Sequence, residues 1–230
     1  MSLEIFVVFH KTLFDECYAE LTDEEFDCLT FVAVNESIPK VYDTAKYKKV
    51  INEWELPVYD PYYQKNGYNE NSVLKHLYEN DRVVTDYVGL AQYDMKFPAE
   101  SISLIRKNLR PDLCISTLLL DYGTAFQASY ACSSKESCIG RIQDYYSAFA
   151  GIPPTTHDFY PLLNSYIIHR DVYNRAMKFA KYMFTVFSPS DGNMGGIFER
   201  VFAYAVRNSV VSVAYGPIQD LNTKLKPLCY

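Results

Sequence analysis

The sequence predicts an α/β sandwich built on a mixed, largely parallel sheet. Three observations predict it. Short, almost wholly apolar runs recur along the chain, as expected of strands buried on both faces. Segments with apolar residues at helical spacing separate those runs. The length of 230 residues, with 49% hydrophobic and 22% charged content, suits one large single-core domain.

The first run is "EIFVVF" (4–9), followed at once by His10 and Lys11. "CLTFVAV" (28–34) is the second, "LPVYD" (56–60) a short third, "YVGLAQY" (87–93) the fourth, "LCISTLLL" (113–120) the fifth and "NSYIIHR" (164–170) a weaker sixth. Between them lie helices. Asn69 is placed to cap "ENSVLKHLYEN", which sets Leu74, Leu77 and Tyr78 on one face. After Pro98, Ile102, Ile105 and Leu109 share a face, and Pro111 closes that helix. "CIGRIQDYYSAFAG" ends at Gly151, a C-cap candidate. "DVYNRAMKFAKYMFTVF" carries a stripe of Val172, Ala176, Phe179 and Met183, and "GGIFERVFAYAVRN" follows a glycine-rich loop. In such sheets ligands sit beyond the carboxyl ends of the strands.

Composition narrows the function. A net charge of −6 argues against a general nucleic-acid binder, which needs excess Lys and Arg. No window is apolar enough for a transmembrane segment. The start lacks a basic region and reads as a first strand rather than a signal peptide. The cysteines at 17, 28, 114, 132, 138 and 229 form no CxxC pair, so reduced thiols, a cytoplasmic setting and no zinc site are expected. Tyrosine is abundant, with 21 copies. It serves as core filler and as a flat surface on which sugars and bases stack.

The chemistry concentrates in "DYVGLAQYDMKFP" (86–98), where an apolar strand runs out into Asp94. A carboxylate at a rigid strand end suits Mg²⁺ or Mn²⁺ that also binds substrate phosphates, with Gln92 on the same side of the strand. It equally suits a solvated strand end. No GxxxxGK[ST], GxGxxG, GxSxG or HExxH pattern is present. "GNMGG" (192–196) opens a helix, and is either an anion-facing loop or an ordinary turn. His10 follows strand one, where a base or phosphate is expected. His76 and His169 read as structural. His157 and Asp158 lie in "GIPPTTHDFYP" (151–161), a stretch stiffened by three prolines.

Four segments, "IFVVFHK", "KNGYNENSVLKHLYEN" (65–80), "DYVGLAQYDMKF" (86–97) and "GGIFERV" (195–201), occur in this order. Together they resemble a group of small glycosyltransferases of bacterial surface-polysaccharide clusters. Members of that group carry an I-x-V-x-x-H-K strand, an N-x-x-Y-x-E helix, a D-Y-I-G-L-x-H-Y strand end and a G-x-x-x-E-R-L helix. In size and in the Asp94 strand end, the chain also resembles compact sugar-transferase domains of large algal DNA viruses, which would place it in a host cytoplasm.

The resemblance implies a GT-A fold with a nucleotide-sugar-binding half (about 1–97) and an acceptor half (about 98–230). It implies a UDP-sugar donor, a glycan acceptor, and Mn²⁺ or Mg²⁺ held at a DxD-like motif. Here that motif reads Gln92-Tyr93-Asp94, so the first acid is missing and Asp94 is the single expected metal ligand. Phe9, His10 and Lys11 would line the nucleotide, and Tyr68 and Glu70 the donor sugar. Glu199 or Asp191 would take the acceptor proton, and Asp94, aided by Lys96, would offset charge on the departing diphosphate. His157 and Tyr160 are expected to wall the acceptor side. The rivals are a non-catalytic carbohydrate-binding domain on the same fold and a nucleotidyltransferase.

Overall fold

The computed structural model describes residues 1–127 and 137–220. In chain order the elements are β1 (Leu3–Phe9), α1 (Asp23–Phe26), β2 (Leu29–Ala33), β3 (Val50–Asn52), α2 (Pro61–Lys65), α3 (Glu70–Glu79), β4 (Tyr87–Gln92), β5 (Met95–Lys96), α4 (Ser101–Asn108), β6 (Leu113–Ser116), β7 (Leu119–Asp121), α5 (Ser137–Ala150), β8 (Phe159–Pro161), β9 (Tyr166–His169), α6 (Arg170–Val186), α7 (Met194–Arg207), β10 (Ser212–Tyr215) and β11 (Gln219–Asp220).

Among the described residues seven strands form one sheet, in the order β10-β6-β9-β4-β1-β2-β3. β1 runs parallel to β2 and β4, β2 to β3, and β6 to β10; β9 lies antiparallel between β4 and β6. The mixed, largely parallel sheet expected from sequence is therefore present. The pleat explains its two cores. Phe6 and Val8 of β1 enter a cluster with Leu74, Leu77, Val172, Met177, Phe198 and Phe202, drawn from α3, α6 and α7. Ile5, Val7 and Phe9 point the other way, into a cluster with Tyr18, Phe31, Tyr47, Ile102 and Ile105. Each central strand thus buries both faces, which is why these runs are uniformly apolar.

Gly89 is needed in the middle of β4. A Cβ there would sit 2.9 Å from Ile5 Cγ1 and 3.0 Å from Ile167 Cγ1, side chains on the two flanking strands. Gly151 follows α5 with φ +68°, the left-handed C-cap that its type predicts.

Three elements differ from expectation. "LPVYD" is not a strand: β3 lies earlier, at Val50–Asn52, and Glu53–Glu55 form a single turn. Pro57 lacks the N–H that a ladder requires. "LCISTLLL" splits after Ser116, where Thr117 turns to bond the Ser165 carbonyl through its backbone N–H at 3.0 Å. Beyond it, β7 pairs with β8 instead. β10 was not visible in the sequence pattern because it is an edge strand with half-exposed residues.

Cys17, Cys28 and Cys114 are free and buried, as reduced thiols. Cys132 and Cys229, and the side chain of Cys138, lie outside the described residues. No helix among the described residues is long and apolar enough to cross a membrane.

Candidate active site

At the carboxyl edge of the sheet, β4 ends at Gln92. The amide Nε2 of Gln92 donates to the carbonyl of Leu163 at 3.2 Å, fastening β4 to the loop that precedes β9. Leu163 and Asn164 in that loop both have left-handed backbones, φ 62° and 47°. Two helices begin on the same edge. α3 starts after Asn69, whose backbone is also strained at φ 52°. α7 starts after Asn193, whose side chain accepts from the Gly196 N–H at 3.4 Å. The helix starts touch: a Cβ on Gly195 would lie 2.5 Å from Asn69 Nδ2 and 3.1 Å from the Gly67 carbonyl oxygen. Glycine at 195 is what lets "GGIFERV" and "KNGYNEN" meet.

Their meeting encloses a small pocket of about 200 Å³ lined by Asn69, Glu70, Gln92, Leu163, Asn164, Asn193, Gly195, Gly196 and Glu199. Apart from Leu163, its side chains are carboxylates and amides. Glu199 Oε1 accepts from the Leu163 N–H at 2.5 Å, and Oε2 lies 3.6 Å from Arg200 Nη1. Burial raises the Glu199 pKa in spite of both contacts, so the group is more basic than an exposed carboxylate. The Glu70 pKa is raised too, first by burial and then by the negative charges of Glu199 and Asp94. Two helix N-termini supply opposing positive ends. The outcome is an acceptor-rich recess that suits hydrogen-bond donors such as hydroxyls, with a carboxylate poised to hold a proton.

The structure brings Glu70, Gln92 and Glu199 together in this pocket, with Asp94 near enough to act on Glu70. Asp94 sits in the turn joining β4 to β5, so its strand-end position is as expected, although the strand stops before it and does not align it with Gln92. His10 and Lys11 are exposed just past β1, and the His10 ring packs edge-on against Tyr93 at 4.8 Å. Phe9 is fully buried beneath them, with its ring edge-on to Tyr42. Lys96 pairs with Glu20 at 2.6 Å.

Other expected residues have different surroundings. Tyr68 is fully buried, stacked on Phe184 and edge-on to Tyr63, so it supports the pocket from behind. Asp191 caps the turn at Ser188 and pairs with Arg141 at 2.7 Å. Burial raises its pKa, but the Ser188 and Arg141 contacts outweigh that and leave it lowered, which makes it a poor base. His157 Nε2 contacts Asn208 Oδ1 at 3.1 Å, and the buried Tyr160 hydroxyl accepts from the His157 N–H at 3.0 Å. Asn208 follows α7 at its far end, about 13 Å along the axis from Glu199 at 1.5 Å per residue. His157 and Tyr160 therefore sit away from the pocket. Asn69 does not cap α3 through its side chain; the amide turns toward Gly195.

Asn164, Asn71 and Asn193 escaped the sequence reading. Of the three only Asn164 has a positive φ, a backbone that asparagine tolerates better than most residues, and no pattern in the sequence singled it out.

A network centred on the buried Glu53, Ser72 and His76 props α3 from below. Glu53 accepts from Ser72 Oγ at 2.8 Å and from Gln64 Nε2 at 2.8 Å. It also contacts His76 Nδ1 at 2.7 Å. His76 Nε2 accepts from the Asp60 N–H at 3.2 Å, which fixes the other ring nitrogen as the donor to Glu53. His76 is structural, as expected.

No protein-family model matches this sequence, and no curated protein matches it. Solved structures do. The apo structure of WbbM, a bifunctional glycosyltransferase, matches over 100% of this chain with a TM-score of 0.55 at 11% identity. This chain spans about half of that structure's length, 48%. Structures of the mannosyltransferase Ktr4p from S. cerevisiae, one in complex with GDP, cover 91% and 93% of this chain and 69% and 68% of their own. Their TM-scores are 0.36 and 0.35, both at 10% identity, too low to carry a structural argument. The chain thus shares, end to end, the mixed α/β fold of a glycosyltransferase structure.

Proposed function

We propose that this chain is a glycosyltransferase, which moves a sugar from a nucleotide-diphosphate sugar, a UDP-sugar first, to a hydroxyl of a glycan acceptor. The observation that carries the reading is the pocket of Glu70 and Glu199 at the sheet's carboxyl edge. It sits on a fold shared along the whole chain with a glycosyltransferase structure. The free, buried thiols support a reducing, cytoplasmic setting.

Roles follow from the surroundings. The acceptor-rich pocket takes the sugar through its hydroxyls. The nucleotide lies outward, toward His10 and Lys11 at the end of β1, and the acceptor reaches the sugar from the α7 side. Glu199 is the base. Its raised pKa favours taking the acceptor proton, and the Leu163 N–H holds the carboxylate in place. Glu70 accepts from sugar hydroxyls.

A cation would be held by Asp94. Among the described residues no three His, Cys, Asp or Glu side chains form a metal-holding group. The donor set fits a cation that arrives with its diphosphate, which needs one or two protein carboxylates, rather than a resident ion in an all-protein cage. When bound, Mn²⁺ or Mg²⁺ would offset charge on the departing diphosphate.

Thermal melting with UDP, GDP and dTDP, each with and without Mn²⁺, tests the reading. A nucleotide at 100 times its dissociation constant adds about 2.7 kcal/mol to stability, about 5–11 °C for a domain of this size. If no nucleoside diphosphate moves the transition, the proposal fails.

A further inference from the structure

The amides behind the pocket form a chain with one forced orientation. Asn71 Nδ2 reaches two backbone carbonyls, Tyr68 O at 2.9 Å and Gly195 O at 3.1 Å. Carbonyls only accept, so that end of the amide is the NH₂ group and the other end is the oxygen. Asn71 Oδ1 then requires a donor, and Asn164 Nδ2 supplies it at 3.0 Å. This leaves Asn164 Oδ1 as the unbonded end of the chain. Asn164 is 3% exposed and lines the pocket, and its Oδ1 has no hydrogen-bond partner among the described residues. A buried bare acceptor is costly unless something donates to it. The φ of 47° at Asn164 and 62° at Leu163 holds it there against the ordinary backbone preference.

We propose that Asn164 is the specificity-determining residue of this pocket: its Oδ1 accepts a hydrogen bond from one hydroxyl of the bound sugar ring. This rests on the glycosyltransferase reading. The ligand class is a pyranose with a hydroxyl at the position facing Asn164. A sugar deoxygenated there leaves the buried oxygen bare and is rejected, as sites built to bond a hydroxyl reject analogues that lack it. Phosphate is disfavoured at this point, since it would bring negative charge to an acceptor flanked by Glu70 and Glu199.

The test measures how much the sugar adds to nucleotide binding. Calorimetric titration gives the dissociation constants of UDP, UDP-glucose, UDP-galactose and UDP-N-acetylglucosamine for the wild type and Asn164→Gly. Glycine accepts the left-handed backbone, so the variant should fold. The expected result is an unchanged UDP constant and a loss of about tenfold or more in the extra affinity of the best UDP-sugar. UDP binding with the sugar's contribution intact in Asn164→Gly overturns the proposal and leaves the enzyme reading standing, with a water molecule as the partner of Oδ1. Failure of UDP and every UDP-sugar to bind the wild type overturns the proposal together with the UDP-sugar reading. Monodeoxy forms of the best UDP-sugar give an independent arm on the wild type alone. A loss confined to one hydroxyl supports the assignment, and equal affinity for all of them refutes it.

Discussion

Replacing Gly195 with alanine should separate the fold from the site. The new Cβ would lie 2.5 Å from Asn69 Nδ2, 3.1 Å from the Gly67 carbonyl and 3.4 Å from Asn193 Oδ1. The Gly67 carbonyl is backbone and yields little, whereas the Asn69 amide can swing. Reaching ordinary contact requires that amide to retreat by about 0.9 Å. Overpacking of this kind costs about 1–3 kcal/mol. Alanine in a helix offsets about 0.5–1 kcal/mol of that. The net loss is about 1 kcal/mol, or a Tm lower by about 2–4 °C for a domain of this size. The effect on activity should be larger, because Asn69 and Glu70 form a pocket wall, and a displacement of about 1 Å can cost about 100-fold. Differential scanning calorimetry and steady-state kinetics on the one variant measure both. A higher Tm with unchanged kcat/KM would refute the claim that the contact between the α3 and α7 starts builds the site.

Other substitutions test other parts. Glu199→Gln should lower kcat by about 10²–10⁴-fold while raising Tm at neutral pH, because it removes a buried charge. The sign follows from burial, which raises the folded pKa. The group's favourable contribution is complete below the unfolded pKa and is lost as pH rises through the folded one, so the gain from Gln grows toward neutral pH and vanishes in acid. Asp94→Asn should lower kcat/KM by about 10²-fold and weaken the Mn²⁺ dependence, with Tm read in parallel. Gly89→Ala should destabilise by about 1–3 kcal/mol, since Ile5 and Ile167 close in at 2.9 and 3.0 Å from either side; an unchanged Tm would contradict the strand packing.

The sheet was legible wherever both faces of a strand are buried. "EIFVVF", "CLTFVAV" and "YVGLAQY" match β1, β2 and β4 within a residue or two at each end, because apolarity on both sides of the pleat leaves one reading. β10 was not, since an edge strand mixes exposed and half-buried residues. The long helices were legible too, α6 from its apolar stripe, α5 from the Gly151 that closes it and α7 from the glycine-rich loop that opens it. In the pocket, Glu70, Gln92 and Glu199 stood out as charged or polar groups inside recognisable segments. Asn164 did not, because its importance comes from an amide chain spanning 93 residues of sequence. His157 and Tyr160 looked cleft-facing for the opposite reason. A proline-stiffened loop says that its residues are fixed, not against what, and here they are fixed against the far end of α7.

The most direct measurement is turnover. The full chain is incubated with UDP-, GDP- and dTDP-sugars, Mn²⁺ and a panel of glycan acceptors, and released nucleotide is quantified beside Glu199→Gln. Acceptor-dependent release of a nucleoside diphosphate by the wild type, falling by about 10²-fold or more in the variant, is the predicted result. Release that is absent with every donor, or that is undiminished in Glu199→Gln, would contradict it.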